Sequence, residues 1–133
     1  MVSNSCLDNL FKENLLSEES YSYYFYAMSF ASKSKYILYG PFATLFNKHS
    51  IICFTNKRII CLELDPVTGN VMNNINEIEF NIIKNVIVKK GMIKTKIKVV
   101  FLDESILEFS PNNICIGLSN HKKNLSKLQE MYN

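Results

Sequence analysis

At 133 residues and a formal net charge of +3, the chain suits a single domain with one core, burying roughly two-thirds of its unfolded surface on folding. Hydrophobic residues make up 47% and charged residues 20%, which excludes a disordered chain. The N-terminus lacks the basic-then-apolar order of a signal peptide. The most apolar windows, 21–31 and 36–46, are 11 residues each, too short to span a bilayer as a helix, so a cytoplasmic protein is expected.

In chain order, Leu7, Leu10, Phe11 and Leu15 fall on one helical face and predict a short amphipathic helix over 5–16, with Ser5 and Asp8 as its capping box. The Tyr- and Phe-rich run 21–31 predicts a first strand. Between Lys33 and Lys48, Gly40-Pro41 interrupts an apolar run, leaving either a loop or two short strands. IICFTNKRIICLEL, 51–64, predicts a hairpin turning at Thr55-Asn56-Lys57-Arg58. With Asn56 and Lys57 at its centre, Cys53 faces Ile60 and Cys61 faces Ile52, so the two cysteines point to opposite faces of the sheet. They cannot then share a metal or a disulfide. The four cysteines, at 6, 53, 61 and 115, form no CxxC pair and read as small hydrophobes.

Asp65-Pro66 and Gly69-Asn70 predict a second hairpin turn. Beyond it Ile78, Phe80 and Ile82 alternate with polar residues as in a half-buried strand. Three further strands follow, with turns at Gly91 and Asp103-Glu104. In the middle one, Ile93, Thr95, Ile97, Val99 and Phe101 share one face and Lys94, Lys96 and Lys98 the other. After Pro111, Asn112 or Asn113 is placed to cap a C-terminal helix, whose apolar stripe runs Ile114, Leu118, His121, Leu125, Leu128, Tyr132. His121 is expected at the rim of that stripe, partly buried.

Seven strands and a terminal amphipathic helix predict a mainly β (α+β) small barrel or orthogonal sandwich with one open end covered by the helix. FTNKRIICLELD, 54–65, resembles the "T-(D/N)-K-R-hydrophobic" hairpin of bacterial pleckstrin-homology-like (PH-like) domains and the related GRAM domains. IEFNIIKNVIVKKGMIKTKIKVVFLDESILEF, 78–109, is similar to the strands and Lys-Gly turn downstream in that family, and LLSEESYSYYFYA, 15–27, resembles its "leucine-x-x-Glu" entry into the first strand. The resemblance covers roughly 15–132. It implies a seven-strand split barrel capped by the C-terminal helix and no catalytic residue. A helical extension over 1–18 is expected before a domain at 19–133.

Two clusters are candidate binding residues. Lys84, Lys89, Lys90, Lys94, Lys96 and Lys98 carry six positive charges with no acid between them, suited to an anionic lipid surface. The plainer reading of these lysines is a solvated face that keeps a strand edge from pairing. That plainer reading is favoured because lysine is a common edge residue and no arginine fork accompanies these lysines; they could also attract nucleic acid phosphates, but nucleic acid is not the expected partner. The second cluster, Lys33, Lys35, Tyr36, Tyr39, Phe42, Phe46 and Lys48, mixes cations and aromatics where PH domains often hold a ligand, and reads otherwise as core and connection. His49 and His121 have no zinc spacing, Glu18-Glu19 and Asp103-Glu104 point apart as sequence neighbours, and no phosphate loop or nucleophile elbow is present. A non-enzymatic binding module without metal or cofactor is expected, its ligand a protein or an anionic membrane surface. The alternative is a self-assembling protein, a homo-oligomer formed through a sheet edge or the N-terminal helix.

Overall fold

The computed structural model describes residues 3–20, 23–28 and 49–132, apart from the side chains at 28, 73 and 74. Within them the 51–64 stretch forms the hairpin its turn predicts. Strand β2 (His49–Phe54) pairs antiparallel with β3 (Arg58–Leu64), Cys53 opposite Ile60 and Ile52 opposite Cys61. Cys53 packs on one side of the sheet with Ile51, Ile60 and Leu62, and Cys61 on the other with Ile52, Phe54 and Ile59. Every residue of β3 is buried, the pattern of a strand covered on both faces. Burial pushes the Cys61 thiol up to about 12, so it reacts only when the hairpin opens. Iodoacetamide should therefore label exposed Cys6 in the native protein and Cys61 only in denaturant, read by peptide mass spectrometry. Rapid native labelling of Cys61 would contradict this packing.

Strands β1 (Tyr23–Met28) and β4 (Val71–Glu79) flank the hairpin in a sheet of order β1-β2-β3-β4. Strands β5 (Ile83–Lys90), β6 (Thr95–Phe101) and β7 (Ile106–Phe109) form a second antiparallel sheet. One core unites them: Phe25, Phe54 and Ile78 from the first sheet meet Ile97, Val99 and Phe109 from the second, with Leu125 and Leu128 from helix α2 (Asn120–Tyr132). The far side of the first sheet is covered by helix α1 (Asn4–Glu13), whose Leu7 and Phe11 pack with Tyr24, Ile51 and Ile60. The described residues thus form a seven-strand split barrel with a short N-terminal and a capping C-terminal helix, as expected.

Helix α2 docks partly through hydrogen bonds to the backbone of β1. Its Asn124 donates to the Tyr24 carbonyl (2.9 Å), and His121 Nδ1 accepts from the Tyr26 N–H (3.1 Å). The His121 Nε2 proton goes to the Asn112 carbonyl (2.6 Å), an acceptor only, so these two partners specify a neutral ring protonated at Nε2. Burial lowers the His121 pKa in the same sense. At 1% exposure, His121 is an interior residue rather than a rim one, because the Tyr26 N–H and the Asn112 carbonyl both find their hydrogen-bond partner in its ring.

The "leucine-x-x-Glu" and T-N-K-R segments turn out to be the two halves of one polar network. Glu19 accepts from the Thr55 hydroxyl, from the Leu16 N–H (2.6 Å) and from Arg58 Nε (3.1 Å) and Nη2 (3.0 Å). Asn56 Oδ1 accepts from the Ser20 N–H (3.1 Å), Lys57 Nζ donates to the Ser17 carbonyl (2.9 Å), and Arg58 also reaches the Asn14 carbonyl (2.7 Å) and Glu77. All four turn residues thus grip the segment that carries α1 into β1. Burial alone would raise the Glu19 carboxyl, but the hydrogen bonds from Arg58, Leu16 and Thr55, with the Arg58 charge, outweigh it and hold the pKa at about 2.

Four local expectations are corrected. The cap of α1 is Ser3, whose hydroxyl accepts from the Cys6 N–H (3.3 Å), while Asp8 accepts instead from the Tyr24 hydroxyl (2.7 Å). The alternation through Phe80 and Ile82 outlasts its strand: a 3-10 turn spans Phe80–Ile82, begun as the Phe80 N–H turns to the Lys57 carbonyl (3.1 Å). Ile93 and Lys94 precede β6 rather than belonging to it. Helix α2 begins at Asn120, leaving Ile114 outside it and 67% exposed. Asn113 cannot cap a helix because it is engaged elsewhere, at the hairpin described next.

Candidate functional site

Gly91 N–H donates to the Lys94 carbonyl (2.8 Å), closing a tight turn between β5 and β6. A Cβ at Gly91 would stand 2.8 Å from that same oxygen, which is why this position is glycine. Asn113 braces the turn from outside. Its N–H donates to the Ile93 carbonyl (2.8 Å), its amide nitrogen to the Gly91 (3.0 Å) and Met92 (3.2 Å) carbonyls, and its amide oxygen accepts from the Thr95 hydroxyl (2.6 Å). The tip is therefore held in one conformation by four hydrogen bonds from one side chain and its own backbone.

Strand register sorts the six candidate lysines into two groups. Lys89 lies directly opposite Lys96, and Lys90 opposite Thr95, with Lys94 in the turn beside them. Directly opposed like charges are unfavourable unless something neutralises them. Lys84 sits at the other end of β5, ion-paired with Glu104 (2.8 Å), and Lys98 stands opposite Glu108 of β7. Edge protection is a sufficient account for lysines on β5, an edge strand, but not for Lys96 on the central strand β6. The second cluster, from Lys33 to Lys48, lies outside the described residues.

Two features at this end of the barrel have no signal in the lysine pattern. The tip residues Met92 and Ile93 are 99% and 74% exposed, and Ile116, in the loop that braces them, is 90% exposed. Beside them, Lys94, Ile114, Ile116, Cys115 and His121 line a cleft of about 370 Å³. A second cleft of about 400 Å³ shares Tyr26 and Cys115 with the first and is closed by the 65–69 turn. Within it the Tyr26 ring stacks on His49 (centroids 5.8 Å apart) and its hydroxyl hydrogen-bonds the His49 Nδ1. Burial, and then the neighbouring Cys115, push the Tyr26 phenol up, and burial pushes the Cys115 thiol up too. That direction is opposite to the one an activated thiol nucleophile needs. Among the described residues no three His, Cys, Asp or Glu side chains are grouped to hold a metal, and no helix is long and apolar enough to cross a membrane.

Two antiparallel sheets over one core, closed by a C-terminal helix, define a PH-like domain. The model of the bacterial PH domain family matches residues 15–131, and the chain belongs to that family. Among solved structures, the hSac2 domain from the human phosphoinositide phosphatase Sac2 is similar, with a TM-score of 0.51 and 9% identity over 96% of this chain and 76% of that one. At that identity the likeness shows the fold alone. No curated protein matches. PH-like domains generally mediate binding and are typically non-catalytic.

Proposed function

We propose that the protein is a non-enzymatic docking module whose binding face is the braced β5–β6 hairpin, and that its ligand is an anionic surface met in the cytoplasm, peripherally at a membrane. The observation that carries this reading is the exposed Lys89–Lys96 pair, opposed across two strands and joined by Lys90 and Lys94 without an intervening acid. Such an arrangement costs free energy in isolation and regains it when an anionic partner arrives. Each lysine near an anionic lipid surface contributes about 1 kcal/mol. Self-assembly is less well supported. The apolar face of α1 is spent on its own sheet, with Leu7 and Phe11 buried, and the edge of β1 is occupied by α2 side chains.

Sedimentation with phosphatidylglycerol vesicles tests the proposal. Binding is expected at low salt, weakening as ionic strength rises. The exposed double variant Lys89→Gln/Lys96→Gln should bind about tenfold or more weakly while melting like the parent. Equal loss with Lys84→Gln, which lies at the far end of the strand, would reduce the effect to net charge and overturn the assignment of the face.

A further inference from the structure

Resting on that reading, we infer that the ligand is a lipid bilayer and that the hairpin tip, Met92 and Ile93, inserts into its interfacial region with Ile114 and Ile116 alongside. Large side chains this exposed have no role in the core, and these four sit on two segments, the 91–94 turn and the 113–116 loop, that are hydrogen-bonded together at one end of the second sheet. Asn113 joins the two segments, bonding the Gly91, Met92 and Ile93 carbonyls while being covalently next to Ile114.

Shape and charge both favour a bilayer over a protein groove. Met92 is 99% exposed, so it projects from the surface beside the cleft of about 370 Å³ and takes no part in lining it. A bilayer accepts such a wedge without any matching pocket. Lys89, Lys90, Lys94 and Lys96 stand behind the tip on long apolar stems, placed to leave their ammonium groups at headgroup level as the tip goes deeper. The bracing by Asn113 and the tight Gly91 turn hold the wedge ready, so little ordering remains to be done on binding.

The sequence contains no tryptophan, so Met92→Trp places a single fluorescent reporter on the tip of the full chain. With vesicles of equal parts phosphatidylcholine and phosphatidylglycerol, its emission should shift to the blue and be quenched by bromines on the acyl chains. The variant Met92→Ser/Ile93→Ser, altered only at exposed positions, should melt like the parent and bind at least about tenfold more weakly. If the serine variant binds as the parent does and the emission of the Met92→Trp reporter stays unshifted, insertion is overturned while lysine-dependent docking stands. If the chain ignores the vesicles even at low salt but binds an acidic polypeptide through Lys89 and Lys96, the bilayer is the wrong partner and the docking face is retained. Binding to neither removes both readings.

Discussion

Arg58→Ala should destabilise the protein by about 3–5 kcal/mol, a larger effect than any surface charge change, because it strands the Glu19 carboxylate in the interior. The Glu19 side chain has no exposed surface and that of Arg58 only 6%, so the carboxylate loses its charge partner at a site removed from bulk water. Lysine at 58 should recover only part of the loss, since one ammonium cannot reproduce the two-nitrogen contact with Glu19 while also reaching Glu77 and the Asn14 carbonyl. Urea denaturation of the variants reads this directly, and a loss below about 1 kcal/mol would mean the pair behaves as an exposed one.

The same network sets an acid limit. The Glu19 pKa falls from 4.5 to about 2 on folding, so below pH 4.5 the unfolded chain takes up this proton before the folded one does. The stabilisation is complete above pH 4.5, declines as the pH falls, and is gone below about pH 2. Glu19→Gln should flatten this part of the stability profile. An unchanged acid limb in that variant would show that other carboxylates control it.

Phe11→Ala should cost about 3–5 kcal/mol, as for other large aromatic side chains removed from a packed site. Phe11 is 1% exposed and stacks on Tyr24 with ring centroids 5.6 Å apart. Deleting 1–13 should cost more, since it also removes Leu7 and uncovers Ile51, Ile60 and Leu62 on the outer face of the first sheet. This bears on where the folding unit begins. The family match starts at residue 15, and a boundary near 18 reads naturally from sequence, yet α1 supplies part of the cover that makes β3 buried on both faces. Thermal melts of the full chain and the truncated one decide the matter: equal midpoints would make α1 an appendage.

Local chemistry alone determined a good deal of this molecule. Turn residues and period-two alternation specify the 51–64 hairpin, its register and the opposite facing of Cys53 and Cys61, because a two-centre turn dictates which positions meet. The T-N-K-R and "leucine-x-x-Glu" segments marked the family, though only folding showed that they are one network, since a pairing 39 positions apart leaves no local trace. Long-range contacts decided the rest. An alternating pattern does not say where a strand stops, and β4 ends before Phe80 because that N–H finds Lys57. The helical spacing from Ile114 is real, but Asn113 is claimed by the hairpin carbonyls and helix α2 starts later. A run of lysines is visible in sequence, whereas register made Lys89 and Lys96 neighbours and set Lys84 and Lys98 near acids. Above all, an apolar residue in sequence reads as core by default. That Met92, Ile93, Ile114 and Ile116 face outward could emerge only once the core was seen to be filled without them.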